Sequence, residues 1–326
     1  MPILKPTARA LATCPVTALA DHVPEATKLA SPARRRLLLG LAASLLSPAW
    51  AGAAHQPRVV TLFQGATDTA VALGVTPVGI VESWQDKPVY PYLRPDLAGV
   101  PLLGLETQPS LEHIVQLEPD IIVASRFRHA RIEPLLARIG RVVMLEDIYR
   151  FRETLSVMAQ VLGREAQAEA WLARLDARIR NLGTRLQKHF DDRWPLTVSL
   201  LDIRANEVRS YLPPSFGGSI LAALGFRWNA ASRRASGVSL KLSGVESLPT
   251  VDADVFFVML HSRSAAVAAH YRRLQAHPLW QRMAAPTQNR VWPVEAVPWV
   301  LSGGVLGVMH MLDDVEHWLA HESGRA

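Results

Sequence analysis

Two segments in different halves of the chain carry one pattern. SLEHIVQLEPDIIVA from Ser110 aligns with GVESLPTVDADVFFV from Gly244, pairing Glu112 with Glu246 and setting each eight residues before an aspartate, Asp120 or Asp254. An Ala-Leu-Gly triplet at Ala72 has its counterpart at Ala223. A chain made of two copies of one unit is constrained to two similar lobes with a cleft between them. Its 326 residues suffice for both, at roughly twice the length of an average domain.

Within the first copy, residues 58–63 form a short β-branched run that gives way to helical spacing over 67–74. Residues 78–81 predict a second strand and 111–117 a helix. Residues 120–124, continuously apolar after Asp120, predict a parallel strand covered on both faces. From Leu196 the order repeats, with a strand and then a helix over 219–225. Between the copies, Ala168, Leu172, Leu175, Ile179, Leu182 and Leu186 step by fours and threes. That stripe predicts one helix over 164–188, roughly 36 Å long at 1.5 Å per residue. Asp191, Asp192, Arg193 and Pro195 close it. Such a helix can bridge two lobes, although the stripe alone also suits a helix packed on one lobe. The expected fold is α/β: a lobe over 55–163, a connecting helix over 164–190 and a lobe over 195–326, each lobe with a central sheet of parallel type.

Ahead of the first lobe, Arg34, Arg35 and Arg36 stand directly before an apolar run over 37–46, and Ala49-Trp50-Ala51 follows as a small-x-small cleavage site. That order reads as a signal peptide over 1–51, and the paired arginines resemble a twin-arginine export motif. The run is about half the ~20 residues a membrane span needs. The single cysteine, Cys14, precedes the run, where a lipid-anchoring cysteine would follow it. A periplasmic chain with neither lipid anchor nor disulfide is expected. The leader also accounts for most of the net charge of +6, holding six Lys/Arg against two Asp/Glu. The remainder is near balance, which argues against a nucleic-acid partner.

Hydrophobic residues at 49% and charged residues at 20% exclude a disordered chain. The chain lacks a phosphate-cradling loop, a nucleophile elbow and a dinucleotide fingerprint, since Gly217-Gly218 and Gly303-Gly304 are lone pairs. His317 and His321 lie four apart with Glu316 and read as a solvated helix face. His270 and His277 suit no metal site, so neither a cofactor nor a protein-held metal is expected. The arginines say more. Arg126 and Arg128, with His129, follow the strand over 120–124; Arg204 follows the strand over 196–203; His261 and Arg263 follow the strand over 255–260. Carboxyl ends of strands are where open α/β sheets bind ligands. Guanidinium groups stay charged and grip carboxylates bidentately, so the cluster suits an oligo-anionic ligand. Trp84 and Trp299, in expected loops, can either wall that ligand or fill a lobe core.

These segments resemble the periplasmic binding proteins for siderophores, haem and cobalamin, and within them the ferric-citrate branch. The likeness rests on QPSLEHIVQLEPDIIVAS from Gln108, RHA from Arg128, GGSILAALG from Gly217, HPLWQ from His277 and Trp299. It implies two α/β lobes on one long helix and a monomeric receptor. Its iron would arrive already held by the chelator and pass to the permease of an ABC importer. It also implies that Arg94, Arg128, Arg204, His261, Arg263 and Trp299 belong to the ligand site, and that Glu112 and Glu246 dock to permease arginines. One position departs: Glu106 stands where many relatives have arginine, and a carboxylate facing the cleft would repel citrate. The alternatives are haem or cobalamin delivery by the same fold and an exported enzyme acting on a carboxylate, with His261 as its base.

Overall fold

The computed structural model describes residues 56–324; the expected leader, its arginines and Cys14 lie outside them. The first sheet contains β1 (Val59–Thr61), β2 (Gly79–Glu82), β3 (Leu102–Leu105), β4 (Gln108–Pro109), β5 (Ile121–Ser125) and β6 (Arg141–Leu145), in the order β4-β3-β2-β1-β5-β6. All its pairings are parallel except β3 with β4. The central apolar strand β5 is buried along its whole length, between β1 and β6.

The second sheet contains β7 (Val198–Ile203), β8 (Val208–Tyr211), β9 (Ser239–Leu242), β10 (Val255–Leu260) and β11 (Val291–Pro293), in the order β11-β10-β7-β8-β9. β7, β10 and β11 run parallel, whereas β8 and β9 are antiparallel additions. The expected strand-then-helix repeat is interrupted here for a local reason. Arg204 N–H donates to Glu207 O at 2.9 Å, which turns the chain back at once. A parallel neighbour would have needed a crossover of a dozen residues or more. The helix Phe216–Ala223 therefore follows β8 rather than β7.

The duplication survives in the hydrogen bonds. Asp120 Oδ2 accepts from Arg58 N–H at 2.8 Å, and Asp254 Oδ2 accepts from Thr197 N–H at 2.8 Å. Each aspartate thus fastens the residue that opens its lobe's first strand. The first helices match too. Gly65 and Gly217, each second in its helix, approach the segment that crosses between the lobes. A Cβ at either would stand 2.4 Å from a backbone oxygen, of Gly303 or Trp299 respectively. Only glycine fits so close an approach.

The predicted stripe becomes one helix of 26 residues, Glu165–Phe190. Its Ala168, Leu175, Ile179, Leu182, Leu186 and Phe190 are buried in a hydrophobic cluster that runs through both lobes, each large apolar side chain there contributing about 1.5–3 kcal/mol. The C-terminal helix Val305–Ser323 enters the same cluster. Arg178 ties the two helices by bonds to Asp313, to Glu316 and to Met309 O. The first lobe reaches the C-terminal helix directly: Asp68, fully buried, accepts from Leu306 N–H and Gly307 N–H at 2.9 Å and from Tyr92 Oη–H at 2.8 Å. Burial outweighs these three donors and pushes its pKa up to about 6. Among the described residues no helix is long and apolar enough to cross a membrane.

Candidate ligand-binding cleft

Parallel strands deliver their carboxyl ends to one side of each lobe, and there the cleft opens. At the end of β5, Ser125 Oγ accepts Arg128 N–H at 3.3 Å and starts the short helix Arg126–His129. β7 runs into Arg204 and β10 into His261. The cleft encloses about 410 Å³, and Arg128, Arg204, Arg209 and His261 line it together with Trp84, Phe127, Tyr149 and Tyr211. Cations and aromatic faces from both lobes therefore meet in one space. A hollow of about 350 Å³ over Trp280 and Asn289 has no charged group in its lining.

Arg128 is held on three sides. Its Nε donates to Glu106 Oε1 at 3.2 Å, and its guanidinium carbon lies 5.3 Å from the Trp84 ring centroid and 4.8 Å from that of Phe127. Glu106 Oε2 accepts from Trp84 Nε1 at 3.1 Å and from Gln64 N–H at 3.3 Å. Burial raises the Glu106 pKa, opposed by the Arg128 charge and by these donors. The carboxylate that looked repulsive in sequence does line the cleft, but it is almost wholly buried and paired with Arg128. Beneath it, His129 Nδ1 accepts Ser125 N–H at 3.1 Å, which leaves Nε2 to donate to Glu106 O at 2.8 Å. Burial lowers the His129 pKa, so the ring is a neutral brace.

In the second lobe, Asp202 Oδ2 accepts from Arg204 Nε at 2.9 Å and lies 3.3 Å from His261 Nδ1. Arg209 is tied to Glu207 at 2.7 Å, and Glu207, hydrogen-bonded by Lys241 and Arg209, has its pKa lowered to about 2. Burial pushes the Tyr211 pKa to about 12, so its hydroxyl enters the cleft neutral. The lobes touch at the cleft mouth, where Gln85 Nε2 donates to His261 O at 2.6 Å. Among the described residues no group of three or more His, Cys, Asp or Glu is placed to hold a metal ion.

Of the residues expected at the site, Trp84, Arg128, Arg204 and His261 line the cleft; four others do not. Arg126 opens its helix facing outward and pairs with Glu133 and Glu146, both at 3.1 Å. Arg94 donates to Val89 O at 3.0 Å and Asp86 O at 2.8 Å, bracing the loop that carries Trp84. Arg263 is at the rim, its side chain 86% exposed and 3.7 Å from Asp86. Trp299 is a core residue, 0% exposed, with its ring 4.7 Å from Phe257 and its Nε1 donating to Asp314 Oδ2 at 2.7 Å. Its neighbours Val300 and Leu301 reach the cleft instead. Sequence reading missed Phe127, Tyr149, Arg209 and Tyr211. Phe127 was discoverable, since it lies between two flagged arginines; Arg209 and Tyr211 needed the unforeseen β8.

Two lobes fixed to a shared pair of helices, with binding groups at strand ends on both sides of a cleft, define a substrate-binding protein. The sequence matches the periplasmic binding protein family over residues 59–296, and the chain belongs to that family. The achromobactin-binding periplasmic protein of Dickeya dadantii is 57% identical over 287 residues, covering 86% of this chain and 94% of its own. Staphylococcus aureus SirA, in its structure complexed with staphyloferrin B, is 33% identical and superposes with a TM-score of 0.78 over 82% of this chain and 94% of its own. The Fe(3+) dicitrate-binding periplasmic protein of Escherichia coli shares 26% identity over 81% of this chain and 85% of its own. The expected two-lobed fold and the expected family both hold, and the likeness to the citrate receptor is weaker than that to the achromobactin-binding protein.

Proposed function

We propose that this protein is the periplasmic receptor for a ferric siderophore rich in carboxylates, which it carries to an ABC permease of the inner membrane. The observation that carries the reading is the convergence of Arg128 and Arg204, from opposite lobes, on one aromatic-walled cleft. A chelator that already surrounds Fe(III) needs an anion-recognising shell rather than further metal ligands, and arginine forks provide one. The relatives named for achromobactin and crystallised with staphyloferrin B point to the same class. Glu112 and Glu246 are both exposed, each beside an exposed valine, Val115 or Val245. One such pair per lobe is what a permease with two subunits can grip, with the charges setting orientation.

The test is quenching of tryptophan emission by the ferric complexes of achromobactin, staphyloferrin B and citrate, with the iron-free chelators as controls. Saturable quenching by at least one ferric complex at micromolar concentration or below is expected. Response to none of them, or tighter binding of haem or cobalamin, overturns the reading.

A further inference from the structure

Each lobe sets a buried carboxylate against its cleft arginine. Glu106 is 3% exposed and Asp202 is 2% exposed. The two acids come from unrelated places in the repeat, one from the loop between β3 and β4 and the other from within β7, yet they make the same bond. Each accepts from Nε, the nitrogen nearest the side-chain stem, at 3.2 Å in Arg128 and 2.9 Å in Arg204. A bond at Nε restrains the rotation of the guanidinium plane and leaves both terminal nitrogens of an arginine that lines the cleft unengaged by the acid. Each acid also has a second cleft side chain beside it: Trp84 Nε1 donates to Glu106, and His261 Nδ1 lies 3.3 Å from Asp202 Oδ2. The two sets are joined across the cleft, because Gln85, next to Trp84, donates to His261 O. A continuous chain of contacts thus leads from Arg128 through Glu106, Trp84, Gln85, His261 and Asp202 to Arg204.

We propose that Glu106 and Asp202 are positioning residues that hold the two cleft arginines at a fixed separation, so that the receptor selects chelates by the spacing of their carboxylates. The inference rests on the anionic-siderophore reading above. It also opposes simple charge counting: a carboxylate beside an anion site repels the ligand, so its neutralisation should tighten binding. Bidentate recognition reverses the sign, because an arginine freed to rotate loses its aligned fork.

The experiment measures affinities of wild type, Glu106→Gln, Arg128→Ala and the double variant for the ferric complexes of achromobactin, staphyloferrin B and citrate. Glu106→Gln should weaken the best-bound complex about tenfold or more and should narrow the differences among the three. Its penalty should vanish in the Arg128→Ala background, as required of a residue that acts through another. Unchanged or tighter binding by Glu106→Gln overturns the proposal, as does a penalty that persists in full without Arg128. So does a lowered Tm with the ranking of the three complexes intact, which is what a merely structural role gives. Should Glu106→Gln fail to fold, Asp202→Asn with Arg204→Ala completes the same cycle in the other lobe. A wild type that binds none of the three refutes the functional reading and this one with it, and is recognisable in the wild-type arm alone.

Discussion

Replacing Arg128 with Ala should do two separable things. The first is loss of a charged hydrogen-bond donor to the ligand, about 1.5–3 kcal/mol, or roughly ten- to hundredfold in affinity. The second concerns the apo protein. Arg128 is the counter-charge of Glu106, whose side chain is 2% exposed while that of Arg128 is 28% exposed. Removing one partner of a fully buried pair costs about 3–5 kcal/mol. Here the loss is smaller, because Glu106 keeps Trp84 Nε1 and Gln64 N–H and can take up a proton. About 1–3 kcal/mol at pH 7.5 is expected, a fall in Tm of about 3–9 °C for a protein of this size. The sign with pH follows from the Glu106 pKa, already raised above its ordinary 4.5 and raised further without Arg128. A carboxyl group with a raised folded-state pKa contributes stability below its unfolded pKa and loses it as pH rises through the folded value. The Tm deficit of the variant should therefore be small at pH 4.5 and grow towards neutrality. Thermal melts at both pH values and emission titrations with the three ferric complexes measure each part. A variant within about 1 °C of wild type at pH 7.5 would refute the buried-pair argument, and one that binds within about threefold of wild type would refute the ligand contact.

Arg263→Ala, at the exposed rim, should change chelate affinity less than about threefold; a tenfold loss would move this arginine into the binding shell. Trp299→Ala should cost about 3–5 kcal/mol of stability, read as a lowered urea midpoint, and a variant with normal stability but lost binding would return Trp299 to the cleft. Asp68, with its pKa near 6 against an ordinary 3.8, contributes stability that is complete below about pH 4 and lost as pH rises through 6. The wild-type stability minus that of Asp68→Asn should thus fall by up to about 3 kcal/mol between pH 4 and pH 7.5, and a difference independent of pH would contradict the assignment. Glu112→Ala with Glu246→Ala should leave chelate affinity intact and sharply reduce uptake through the cognate importer; normal uptake would remove these residues from the docking surface.

The duplicated pattern made the lobes and their central strands legible, because continuous burial between β1 and β6 demands an unbroken apolar run such as that of β5. The long helix was legible from its stripe for the same reason. What the sequence hid was the edge of the second sheet, where a turn of a few residues replaces a crossover and brings Arg209 and Tyr211 to the cleft. Position after a strand was also a partial guide. It found Arg128, Arg204 and His261, yet Arg126 follows the same strand and points at Glu133 and Glu146, since neighbours on a helix face different ways. Glu106 looked wrong for an anion site because its meaning depends on the arginine in front of it, which is a contact between distant residues.

The hydrophobic cluster shared by both lobes, the long helix and the C-terminal helix has a consequence for autonomy. A repeat whose copies each enclose a core can be cut in two and leave folded halves. In this chain each lobe keeps one cluster of its own, but the cluster that includes the long helix and the C-terminal helix is shared by both lobes, so a separated half would expose that seam. One cooperative melting transition, rather than melting lobe by lobe, is the expected outcome of that shared cluster. A ligand bridging the cleft stabilises that whole unit, by an amount that grows with the logarithm of its free concentration over Kd.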